Sequence, residues 1–214
     1  MRNVVLGFLL WSSLGMSQQT AETDASALCE FYAAINNKNV LTNWCGEKGA
    51  DGTYVNGPCN PKNPWTGVMC GVIAGVNRVT GIGLAGKGLG GTISSSIGNL
   101  VELSVLGLNY NGFTGTVPTS IWTLTKLVHL SLHENYLPGT IPTVIGGLTG
   151  LSYLALFTMG LSGTIPSQIG LLTNMVTLNL RLNRFIGTIP TTLGLLKQGH
   201  VFRPPPRVLM PRGG

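Results

Sequence analysis

Charge is what this sequence has least of. Asp, Glu, Lys and Arg make up 9% of its 214 residues, against 43% that are hydrophobic. Such a chain buries a core and is not a disordered polyelectrolyte. Histidine is scarcer still, with His129, His133 and His200 the three in the sequence. Cysteine does not occur after Cys70. Beyond the N-terminus no stretch stays apolar for the roughly 18 residues that a membrane helix needs. There is no Asn-x-Ser/Thr glycosylation acceptor, no G-x-S-x-G elbow, no H-E-x-x-H zinc helix and no glycine-rich phosphate loop. The seven acidic residues are scattered, and no pair falls in one expected pocket. The expectation is a protein without catalysis and without a cofactor.

The formal net charge of +6 invites a nucleic-acid reading until it is located. Arg203, Arg207 and Arg212 fall in the last dozen residues, and Arg2 precedes the first apolar run. Between Gln18 and Gln198, nine Lys/Arg stand against seven Asp/Glu, a balance of only +2. The basic character belongs to the ends. No basic face or base-reading motif supports a nucleic-acid partner.

Residues 1–19, with one arginine before the apolar run Val4–Trp11 and small or polar residues after it, read as a secretory signal peptide. In an exported chain the four cysteines, Cys29, Cys45, Cys59 and Cys70, imply two disulfides. Three connectivities are open, and short loop closure favours Cys29–Cys45 with Cys59–Cys70. A zinc site would need tighter C-x-x-C spacing.

From Val79 an apolar residue recurs every 24 positions: Val79, Leu103, Leu127, Leu151, Met175. Each opens an L-x-x-L-x-L pattern, whose later columns are Ile82, Leu106, Leu130, Leu154, Leu178 and Leu84, Leu108, Leu132, Leu156, Leu180. Three residues on stand Lys87, Asn111, Asn135, Met159 and Asn183. G-T-[IV]-P then recurs from Gly115, Gly139, Gly163 and Gly187, with "GTIS" at Gly91 as a first, imperfect copy. A fixed period without insertion is the signature of a solenoid. The alternating leucines point inward from a short strand and stack on those of adjacent rungs. The asparagines suit a tight bend whose amides serve neighbouring backbone groups.

The 24-residue period and the L-x-G-x-I-P marks "FTGTVP", "LPGTIP", "LSGTIP" and "FIGTIP" resemble the plant-type extracellular leucine-rich-repeat family. "DASALCEFYAAINN", "TNWC" and "PCNPKNPWTGVMC" resemble that family's N-terminal cap, with Cys29 and Cys45 as additions to it. The resemblance implies an α/β repeat fold: a right-handed solenoid of five 24-residue repeats (79–198) behind a disulfide-bonded cap (20–78). A basic, proline-rich tail (199–214) interrupts the sixth repeat that the period would place there, and it reads as disordered.

Concave strand positions are that family's usual ligand surface. In this sequence they include Asn109, Tyr110, His129, His133, Glu134, Tyr153, Phe157, Asn179 and Arg181. Aromatic side chains and arginine suit partner binding. His129 and His133 share a face, but four residues along a strand separate them by about 13 Å. They cannot both ligate one metal ion, whose ligands each lie about 2 Å away. The implied function is a secreted recognition module for a protein, peptide or glycan, in defence or cell-surface signalling. An inhibitor of a cell-wall-degrading enzyme and a truncated receptor ectodomain are its family alternatives. The column Thr92, Thr116, Thr140, Thr164, Thr188 leaves ice binding as a remote one, its plainer reading being a second short strand.

Overall fold

The computed structural model describes residues 22–45 and 57–196, together with the backbone of 201–203. The expected signal peptide lies outside the described residues. Residues 22–34 form an α-helix, α1. Asp24, Ala27, Leu28 and Phe31 recur at helical spacing and are buried, so one face of α1 closes on the repeats. A short strand β1 (Ile35–Asn36) follows, and then a hairpin of β2 (Val68–Ile73) and β3 (Val76–Gly83). Ala74 and Gly75 join them, both at positive φ (50° and 81°), as a tight hairpin turn requires. This hairpin was not legible in the sequence, because β2 carries no clean alternation of apolar and polar residues.

Three links hold the cap in place. The disulfides are Cys29–Cys45 and Cys59–Cys70, the pairing with the shortest loops. Trp44 lies against Phe31 and Trp65 with ring centroids 6.3 and 5.5 Å away, and Phe31 reaches Phe113 of the repeats at 6.2 Å. Arg78 donates from Nε and Nη2 to the two oxygens of Asp24, each at 2.8 Å, and the Val79 amide donates to Asp24 Oδ2 at 2.9 Å. The carboxylate thus binds α1 to the first repeat strand through three donors.

Beyond β3 run β4 (Gly90–Thr92), β5 (Val105–Gly107), β6 (Gly112–Thr114), β7 (His129–Ser131), β8 (Tyr153–Ala155), β9 (Ser162–Gly163), β10 (Thr177–Asn179), β11 (Arg184–Phe185) and β12 (Val201–Arg203). The main sheet has the order β12-β10-β8-β7-β5-β3-β2, parallel except for the cap hairpin. Its register is the sequence period itself: Gly81 faces Val105, then His129, Tyr153, Thr177 and Val201. The last pairing corrects one expectation. Val201–Arg203 lies within the tail assigned to disorder, yet it adds a strand one period after β10. Backbone pairing alone suffices there, since a parallel edge offers free N–H and C=O groups to whatever chain follows it.

The opposite side carries one short 3₁₀ turn per rung: Ser95–Asn99, Thr119–Thr123, Thr143–Gly147, Ser167–Leu171 and Thr191–Leu195. Four of them follow the proline of G-T-[IV]-P, at Pro118, Pro142, Pro166 and Pro190. Proline presets φ and lacks the N–H that a helix start leaves unpaired. Between sheet and turns, all three leucine-type columns are fully buried. The glycine before each threonine has a positive φ, and at Gly163 an added Cβ would lie 3.0 Å from the Thr140 methyl one rung earlier. The threonines are exposed, but Thr116, Thr140, Thr164 and Thr188 lie outside the strands. The second-strand reading holds only at Thr92, and no continuous sheet among the described residues carries a flat threonine array.

Asn111, Asn135 and Asn183 each bridge two rungs. Asn135 Oδ1 accepts from the Phe113 amide at 3.0 Å, while its Nδ2 donates to the carbonyls of Leu108 (3.0 Å) and Leu132 (2.9 Å). Asn135 is 4% exposed, whereas Asn111 and Asn183 are half-buried. Asn135→Ala is therefore expected to cost about 3 kcal/mol, since it leaves several buried backbone groups unpaired at roughly 1–3 kcal/mol each. Asn111→Ala should cost less; urea unfolding of the two variants checks the order. Asp24→Ala leaves Arg78 a buried, unpaired charge and should cost about 3–5 kcal/mol in the same assay.

Candidate recognition surface

Strands β5, β7, β8 and β10 turn alternate side chains outward. Along β7 and its continuation these are His129, Ser131 and His133, with Leu130 and Leu132 inward. Gly107, Ser131 and Ala155 end their strands and are buried although they face outward. Small residues here form a floor on which rings from adjacent rungs lie side by side.

Two rows result. The rings of His129 and Tyr153 stack with centroids 4.2 Å apart and planes 2° from parallel. In the second row His133 stacks on Phe157 (4.0 Å, 19°), Tyr110 meets His133 edge-on at 4.9 Å, and the Arg181 guanidinium lies 4.9 Å from the Phe157 centroid. Rungs spaced at about 4.8 Å set this contact distance. The row thus runs across four rungs: Tyr110, His133, Phe157, Arg181. Ser131 Oγ and His133 Nδ1, 3.0 Å apart, share a hydrogen bond that holds the imidazole.

The structure gathers most of the residues picked from the sequence, with one correction. His133 and Phe157 are 6% and 7% exposed, so they support the surface more than they present it. Each ring face is covered by its neighbour. The ring beside His133 on the cap side is Tyr110. Tyr110 has φ 55°, a left-handed turn that swings its side chain across the rung. Asn109 and Asn179 are half-buried, and Asn179 Oδ1 accepts from the Arg181 amide at 3.3 Å. The first rung is bare for a physical reason: a Cβ at Gly81 would lie 2.4 Å from Cε of Met69, which β2 lays over it.

Tyr136 was missed. It lines an open recess of about 350 Å³ with Tyr110, Asn111, Glu134, Asn135 and Thr158. One signal could have found it. Its column reads Gly88, Gly112, Tyr136, Gly160, Arg184, so a tyrosine stands where both adjacent rungs have glycine.

Burial lowers the pKa of His129 below its ordinary 6.5. It does the same at His133, where Glu134 and the Ala155 carbonyl pull upward and His129 and Arg181 add to the lowering. Both imidazoles take up a proton less readily in the folded chain, so the unfolded chain binds more protons just below pH 6.5. Stability is full above that pH and falls as pH drops through it. Urea unfolding at about pH 7.5 and about pH 5 should show this loss, and His133→Gln should flatten it.

The fold and surface define the class: a capped leucine-rich-repeat solenoid with a ring-lined concave sheet. The family model described as Leucine Rich Repeat matches residues 126–148. The ectodomain of BIR2 from Arabidopsis thaliana is 30% identical, with a TM-score of 0.67, covering 79% of this chain and 84% of that one. A chain of the Arabidopsis thaliana BIR3–SERK2 complex is 29% identical, with a TM-score of 0.67, covering 81% of this chain and 91% of that one. Phytosulfokine receptor 2 of Arabidopsis thaliana is 35% identical over 104 residues, which are 48% of this chain and 9% of that receptor. The chain belongs to the plant extracellular leucine-rich-repeat family, to which these ectodomains also belong. No helix among the described residues is long and apolar enough to cross a membrane.

Proposed function

We propose that this protein is an extracellular, non-catalytic recognition module that binds a protein or peptide partner across its concave sheet, in signalling or defence. The carrying observation is the pair of ring rows. His129–Tyr153 and Tyr110–His133–Phe157–Arg181 hold aromatic and arginine side chains in place before any partner arrives. Ordering such side chains on binding costs about 0.5–1.5 kcal/mol each, so rows already ordered favour affinity. A relative of matching ectodomain length supports a protein partner, since it was solved within the complex of BIR3 with SERK2. The ring faces point to the same conclusion against a glycan. They lie on one another and leave chiefly edges and the Tyr110, Tyr153 and Arg181 side chains for contact.

Capture from plant extracellular fluid on the immobilised protein tests the reading. A partner held by the wild type should lose about 2 kcal/mol or more of affinity to Tyr153→Ala and to Arg181→Ala, a loss of roughly 30-fold. Equal retention by both variants, with unfolding midpoints unchanged, would refute it.

A further inference from the structure

The recess beside the ring rows has a chemistry of its own. Tyr110, Glu134, Thr158 and Leu182 occupy one column, all at left-handed φ between 52° and 56°, where the first rung has Gly86. Glycine adopts that conformation without steric cost, whereas a β-branched threonine there is an outlier. Four successive rungs nevertheless carry side chains at this place. Two of the three that line the recess are polar and have no ion pair or hydrogen bond from their side chains among the described residues. The Glu134 carboxylate is half-buried and has no ion pair among the described residues, where the pairs are Arg78–Asp24 and Lys126–Glu102. Thr158 Oγ1 is buried without a hydrogen-bond partner among the described residues.

The remaining walls narrow the occupant. The Asn111 and Asn135 amides are spent on bridging rungs. Tyr110 and Tyr136 are 56% and 73% exposed and offer ring faces and phenol oxygens. Among the described residues no lysine or arginine lines the recess. Outside the lining, the Arg181 guanidinium lies over the Phe157 ring, on the far side of His133. What is left is rich in acceptors and aromatic surface around one unpaired negative charge. That set fits a cation carried on an apolar stem.

We infer that this recess is a specificity subsite that takes a basic side chain, arginine or lysine, presented by the partner. Glu134 pairs with the charge, and Tyr110 and Tyr136 flank it. The inference rests on the recognition reading above and names the chemistry that the partner must bring. A volume of about 350 Å³ suits one long side chain and lies at the low end for ligand sites, roughly 300–1,000 Å³.

N-acetyl-arginine amide is the probe, titrated into the isotopically labelled protein and followed through backbone amide resonances. N-acetyl-lysine amide forms a parallel arm, and neutral N-acetyl-citrulline amide is the isosteric control. Saturable shifts are expected at Tyr110, Glu134, Tyr136 and Thr158 with the cationic probes, weakening as salt is added. Citrulline should produce none, and Glu134→Gln should weaken binding about fivefold or more. The arm that binds more tightly assigns arginine or lysine. Absence of localised shifts, or equal binding by citrulline or by Glu134→Gln, overturns the subsite. Failure here with partner capture still lost in Tyr153→Ala sinks the recess alone. Shifts at the recess with capture unaffected by Tyr153→Ala and Arg181→Ala would sink the concave-sheet reading and leave the subsite standing.

Discussion

Parallel backbone pairing at a constant offset of 24 residues is the constraint on which everything else depends. Each strand hydrogen-bonds the one a period earlier, so every side chain lies directly over its counterpart in the preceding rung. Leucine on leucine makes a continuous core with no residue wasted on fitting dissimilar neighbours. The same offset stacks proline on proline before the 3₁₀ turns and places the asparagine amides where they bridge adjacent bends. Where the amide is missing, at Met159, the position is filled by a buried apolar side chain, and the bend keeps its path because the Met159 amide still donates to Asn183 Oδ1.

A one-dimensional stack must be closed at its ends. The cap does this with an amphipathic helix, two disulfides and an aromatic cluster of Phe31, Trp44 and Trp65 that continues into Phe113. The Asp24–Arg78 pair adds direction to that apolar seal. Its two parallel hydrogen bonds and a third from the Val79 amide specify how α1 meets β3, which packing alone would leave loosely defined. Met69 then lies over the glycines of the first rung, so the usable concave surface begins at the second.

The offset that builds the core also shapes the surface. Rings in one column are brought to stacking distance, and each shields its neighbour's face. The consequence for recognition is a trade: His133 and Phe157 lose exposure, while Tyr110, Tyr153 and Arg181 gain fixed positions. Beside them the left-handed column carries Glu134 and Thr158 to the edge of the sheet, where Tyr136 completes a recess between two glycine rungs.

Much of this was readable from residue order. The period, the inward columns, the bend asparagines and the membership of most concave residues follow from local pattern, because a repeat makes spacing equivalent to position, and the cysteine pairing follows from short loop closure. His129 beside Tyr153 and His133 beside Phe157 needed only the number 24. What stayed hidden depends on contacts outside the period. The cap hairpin, the Asp24–Arg78 pair 54 residues apart and the covering of Gly81 by Met69 join segments that share no repeat. Burial of His133 and Phe157, and the swing of Tyr110 across its rung, depend on ring orientation and on a backbone φ that no residue type announces. The sequence by itself determined a repeating scaffold and the list of side chains on its face. Only the tertiary structure decided which of those side chains are spent on one another and which remain for a partner, because that division is set by close packing between rungs.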